Sequence, residues 1–162
     1  MTVFVVDTNI LIYAADGDSP DHASCRKLVE NWRPQTTPWY LTWGIVYEFI
    51  RVVTHPRVLN LPFSVSQAWS FLDALFASPH LRILVETDRH RHVAAEVFSE
   101  IPDLTGNLAF DAHTAILMRE NGIKTIYTRD TDFSRFPFLT RIDPATPPRQ
   151  PSTSRRRPKD RT

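Results

Sequence analysis

Five acidic side chains stand where charge is costly. Asp7 closes an apolar run over residues 2–6, and Glu48 and Asp111 each sit within an apolar helical stretch. Asp130, with Asp132 beside it, follows the apolar run 123–128. A carboxylate next to such sequence is expensive to bury without compensation, and no matching set of Lys or Arg accompanies these five. Hard oxygen ligands suit Mg2+, with Mn2+ as a substitute. Without an ion, clustered carboxylates repel and some hold protons through raised pKa values. With one, the site can activate water and stabilise charge on a phosphoryl oxygen. The chemistry expected is metal-assisted phosphodiester hydrolysis.

Each acid also has a plainer use. Asp7 can cap the following helix through the backbone of Ile10, and Glu48 can pair with Arg51 three residues on. Asp111 can be a first-turn acid favoured by the helix dipole. Asp130 and Asp132 can close Asx turns. All these uses together explain the placement less well than convergence does.

The elements that must deliver these residues follow from periodicity. Short apolar runs rich in β-branched residues read as strands over 2–6, 36–41, 82–85, 123–128 and 139–142. Helices are expected over 10–15, from Ser19-Pro20 to 32, over 43–54, from Ser64 or Ser66 to 78, from an Asp88 cap to 100, and over 108–121. Gly122 supplies the stop for the last of these. At about 100° per residue, Glu48 borders the stripe of Ile45, Phe49 and Val52, and Asp111 borders that of Leu108, Ala112 and Ala115. Alternating strands and helices predict an α/β fold, a mostly parallel sheet covered on both faces. Ligands then sit beyond the carboxyl ends of the strands, where Asp7 and Asp130 fall.

The chain of 162 residues suits one core. Over residues 1–143, 13 Lys and Arg face 17 Asp and Glu, a net of −4, whereas residues 144–162 carry six Lys and Arg against one Asp, a net of +5. That basic tail holds five of the 13 prolines and is expected to be disordered. Its Arg155-Arg156-Arg157 run suits either RNA phosphates or plain solvation. The expected division is a nuclease domain over 1–143 and the tail over 144–162. A single cysteine, Cys25, agrees with a reducing cytoplasm. Neither a secretory leader nor a run of about 20 apolar residues is visible, so no membrane association is expected.

At the acidic positions the chain resembles the PIN-domain ribonucleases, specifically the VapC-type toxins of bacterial toxin–antitoxin systems. Val5-Val6-Asp7-Thr8-Asn9 is similar to the family's opening motif, and Tyr47-Glu48-Phe49-Ile50-Arg51 to the second. Phe110-Asp111-Ala112-His113 resembles the third, and Thr128-Arg129-Asp130-Thr131-Asp132-Phe133 the closing one. The resemblance implies a three-layer αβα fold and a Mg2+-dependent endoribonuclease. Asp7, Glu48, Asp111 and Asp130 would be the catalytic, metal-binding acids, Asp132 an auxiliary ligand, and Asn9 and Thr128 polar support. A metal-bound water would cut RNA to leave a 5′-phosphate and a 3′-hydroxyl. A small antitoxin and a homodimer are the implied partners. Many relatives carry a second acid one turn before the third motif, where this chain has Asn107, so one or two metal ions remain open.

Arg51 and His55 continue the Glu48 row and suit either substrate phosphate or a surface ion pair and helix-end cation. Arg89-His90-Arg91-His92 reads as a solvated face, and the histidines lack zinc spacing with cysteines. Trp39, Trp43, Trp69 and the phenylalanines read as core or dimer surface. Two rival functions are weaker. An aspartyl-nucleophile phosphatase wants an Asp where Asn9 stands. A non-catalytic RNA- or protein-binding module on the same scaffold has no missing acid in its favour.

Overall fold

The computed structural model describes residues 2–145. Residues 146–162, with the Arg155–Arg157 run and all but the first two positions of the basic tail, lie outside the described residues.

Five parallel strands form one sheet: β1 (Phe4–Val6), β2 (Trp39–Thr42), β3 (Leu81–Leu84), β4 (Thr125–Tyr127) and β5 (Thr140–Ile142), in the order β3-β2-β1-β4-β5. β1 is central, which is why Phe4, Val5 and Val6 are all apolar and all buried. The helices are α1 (Thr8–Ala15), α2 (His22–Trp32), α3 (Trp43–Val53), α4 (Val65–Phe76), α5 (His90–Glu100) and α6 (Leu108–Glu120). α1 packs on α2 and α3, α3 packs on α4, and α5 pairs with α6. The chain moves outward from β1 through β2 to β3, then crosses back to β4 on the other side of β1. Right-handed crossovers put the helices of those opposite movements on opposite faces. The result is the expected three-layer αβα architecture.

Local chemistry sets the element ends. Thr42 caps α3 by accepting from the Ile45 N–H at 3.1 Å. Ser64 and Gln67 form a capping box on α4, which settles that helix start on Ser64 rather than Ser66. α6 ends in a Schellman turn. Gly122, at φ 68°, donates to the Arg119 carbonyl and Ile123 to that of Met118, so the next strand leaves at a set angle.

Two expected starts differ. α2 begins at His22, because Ser19 and Pro20 form a turn and the Asp21 carboxylate is drawn away to Arg129. α5 begins at His90, not after an Asp88 cap; Thr87 accepts from the Arg89 N–H instead, at 3.2 Å. At α2 the competing partner is distant in sequence; at α5 it is the neighbouring Thr87, itself bonded to Glu120. Trp39 is fully buried, whereas Trp43 and Trp69 are half-exposed.

Candidate active site

β1 and β4 are neighbours, yet the chain leaves them toward different sides of the sheet. The crevice at their carboxyl ends is the expected ligand position in such a sheet. Asp7 sits there, its N–H extending the ladder to the Tyr127 carbonyl at 3.0 Å. Its Oδ1 accepts from the Thr8 N–H at 2.8 Å, so it caps α1 through Thr8 and not through the expected Ile10. Its Oδ2 accepts from the Thr128 hydroxyl at 2.7 Å and from Asn9 Nδ2 at 3.1 Å. Thr128 Oγ1 also accepts from the Asp130 N–H at 2.9 Å, and Asn9 Oδ1 from the Arg129 N–H at 3.2 Å. Asn9 and Thr128 thus join the end of β1 to the segment that carries Asp130.

Two helices bring the remaining acids. Glu48 projects from α3, where its Oε2 accepts from the Thr8 hydroxyl at 3.1 Å and its Oε1 lies 3.7 Å from Arg51 Nη2. Asp111 lies in the first turn of α6. Asp130 caps a short 3-10 helix, Thr131–Arg135, by accepting from the Asp132 N–H at 2.8 Å. One carboxylate oxygen each from Asp111, Asp130 and Asp132 lie within 4.8 Å of one another. A pocket of about 730 Å³ is lined by Asp7, Glu48, Asp111, Asp130 and Asp132. Arg51 is the single Lys or Arg along its lining among the described residues.

That imbalance governs the electrostatics. Burial pushes the Asp7 carboxyl up to about 6, against the hydrogen bonds from Thr128 and Thr8. Burial likewise pushes Asp111 up to about 7, with the charges of Asp7, Asp130, Glu48 and Asp132 adding to it. Each group is short of positive charge in the same space. An all-oxygen donor set of this kind fits a hard divalent cation, which would relieve both strains.

The five acids expected from the sequence therefore meet in one pocket, with Asn9 and Thr128 directly behind Asp7. Arg51 lines the pocket, while His55 lies outside its lining and accepts from the Arg57 N–H at 3.1 Å. Sequence reading overlooked Thr8, although its place beside Asp7 was a hint. Phe110, read with the other phenylalanines as core or dimer surface, is 75% exposed and lines the pocket, as does Tyr47, which is 66% exposed. His90 is not part of a solvated face: its Nδ1 lies 2.6 Å from Glu120 Oε2. The pairing crosses 30 positions, and no local pattern announces it.

Comparison with known proteins agrees with this geometry. A PIN domain family model matches residues 4–139. Ribonuclease VapC48 of Mycobacterium tuberculosis is 33% identical over 138 residues, covering 85% of this chain and 94% of the relative. Ribonuclease VapC43 of the same organism is 37% identical over 131 residues, covering 81% and 88%. Among solved structures, VapBC2 from Rickettsia felis bound to a promoter DNA fragment superposes with a TM-score of 0.61 at 18% identity, covering 87% of this chain and 98% of that one. VapC20 of M. tuberculosis, a toxin that cleaves the sarcin–ricin loop, gives 0.61 at 18% identity, covering 84% and 96%. At that identity these two likenesses establish the fold.

Proposed function

The chain belongs to the PIN-domain family, and on that footing we propose that it is a Mg2+-dependent endoribonuclease of the VapC type, the toxin of a toxin–antitoxin pair. One observation carries the reading: five carboxylates converge on a pocket that holds a single arginine. Asp7, Glu48, Asp111 and Asp130 hold the cation, with Asp132 completing the oxygen set. A divalent ion bound there supplies an activated water and charge stabilisation at the scissile phosphate.

The chain's own groups do the rest. Thr128 and Asn9 hold Asp7 Oδ2, and Thr8 holds Glu48 Oε2, so both carboxylates are oriented before an ion arrives. Arg51, on the pocket wall, is placed to meet a phosphate once Glu48 is engaged elsewhere. In this reading residues 1–143 are the nuclease domain and residues 144–162 a basic tail. A small antitoxin and a second copy of the chain are the partners in this reading. The setting is the cytoplasm, where buried Cys25 stays a thiol. Among the described residues no helix is long and apolar enough to cross a membrane.

The decisive experiment incubates antitoxin-free protein with total bacterial RNA in Mg2+, in Mn2+ and in EDTA, beside Asp7→Asn, and maps the cut ends. Discrete metal-dependent cuts with 5′-phosphates, absent in the variant, are expected. Equal cleavage by the variant, or in EDTA, would overturn the assignment.

A further inference from the structure

At the edge of the acidic pocket, whose lining includes His113, a second group of side chains meets from three elements. Glu86 lies two residues past β3, His90 opens α5, and His113 and Glu120 project from α6. His113 Nε2 is 2.9 Å from Glu86 Oε1, and the His90 and His113 rings stand edge to face with centroids 5.8 Å apart. One donor atom from each of Glu86, His90 and His113 lies within 4.8 Å of the other two.

The support beneath this group is what sets it apart from a surface ion pair. The Glu120 side chain is fully buried. Burial alone would push its carboxyl up, but hydrogen bonds from the Thr87 hydroxyl, His90 and the Thr87 N–H hold it below the usual carboxylate range. An ionised carboxylate only accepts. His90 Nδ1 must therefore carry the proton it shares with Glu120 at 2.6 Å, which leaves Nε2 as the ring's free donor atom. A buried carboxylate that fixes the tautomer of a histidine is the usual outer support of a metal-ligating imidazole.

We propose that Glu86, His90 and His113 form a Zn2+ site, with Glu120 as the positioning residue and a water or solvent-borne ligand in the fourth place. Two imidazoles and one carboxylate are a borderline-soft set that zinc takes at about 2.0–2.2 Å with an open position. Tetrahedral ligands at that range stand roughly 3.3–3.6 Å apart, so three donor atoms within 4.8 Å of one another need only small side-chain adjustments to share an ion. The donor set differs from the five pocket carboxylates, so the two sites would sort hard and softer ions. A bound ion would tie the loop after β3 to α5 and α6, two residues from Asp111. The inference is independent of the nuclease reading, because it is tested by binding.

The full chain, stripped with chelator and returned to millimolar Mg2+, is titrated with Zn2+ by calorimetry and with Co2+ by visible absorption. One equivalent should bind despite the Mg2+, with intense low-coordinate Co2+ bands. Both signals should vanish in His90→Ala and in Glu86→Gln, the second being a surface change that leaves the fold alone. Glu120→Gln should weaken binding roughly 10–100-fold, while His92→Ala, whose ring pairs with Glu96, should bind normally. Undiminished affinity in His90→Ala and Glu86→Gln, or no binding by the parent, overturns the site. So does a signal lost in Asp111→Asn but kept in His90→Ala, which would place the ion among the pocket carboxylates.

Discussion

The two acid-bearing clusters that meet at α6 treat negative charge in opposite ways. In the pocket, Asp7 and Asp111 face other carboxylates, and burial with mutual repulsion raises them to about 6 and about 7. In the second cluster, Glu86 and Glu120 each face a histidine and both are lowered, Glu86 chiefly by its hydrogen bond from His113. Neighbouring positions of one helix thus feed a cluster that is short of cations and one that carries its own. The lesson is that acidity alone marks nothing. What distinguishes the pocket is buried carboxylate without a matching cation, a strain the fold sustains for the sake of a ligand.

The largest effect that sharpens this contrast is on cleavage. Asp7→Asn or Asp111→Asn should lower the RNA cleavage rate by more than the roughly 10–100-fold that the loss of a supporting partner costs, read as single-turnover rates. Thr128→Val removes the donor to Asp7 Oδ2 and the acceptor for the Asp130 N–H. It should fall within that 10–100-fold range and be partly restored by raising the metal concentration. A loss as deep as that of Asp7→Asn would mean that Thr128 itself touches the ion.

Stability against pH tests the same imbalance without substrate. Between pH about 4 and 6, native Asp7 still binds a proton that the unfolded chain has released, so the native state holds more protons and stability falls as pH rises. The loss from Asp7 alone is about 3 kcal/mol, and Asp111 extends the fall through about pH 7. Thermal melts of chelator-treated protein should therefore show Tm dropping from pH 5 to pH 8. Mg2+ or Mn2+ should restore Tm most at the upper end, and Asp111→Asn should flatten the profile. A metal-free Tm that rises over this range would remove the case for uncompensated charge.

The smallest effect concerns the pocket's one arginine. Arg51 and Glu48 are 67% and 48% exposed at 3.7 Å, a pair worth roughly 0–1 kcal/mol. Arg51→Gln should leave Tm within about 2 °C yet raise KM for RNA, because a phosphate partner is lost. Unchanged KM would return Arg51 to the role of a surface ion pair.

Much of this was legible in the chain. The run Phe4-Val5-Val6 is apolar at every position because β1 is covered on both faces, and the 3.6-residue period places Glu48 and Asp111 at the borders of buried stripes. Helix stops and starts were readable where their chemistry is local, as at Thr42, Ser64 and Gly122. They were misread at Ser19-Pro20 and at Asp88, where the Asp21–Arg129 pair and the Thr87–Glu120 bond act from far along the chain.

The sequence by itself determined which carboxylates lack a cation and at which strand ends and helix edges they stand. Composition and periodicity are local properties, written in consecutive residues. Only the tertiary structure decided which side chains share a volume. The return crossover from β3 to β4 sets Asp130 beside Asp7, 123 positions apart in the chain. The pairing of α5 with α6 sets His90 against Glu120 and His113. Burial, and with it every shifted pKa, is a property of that shared volume. It does not exist until the layers close.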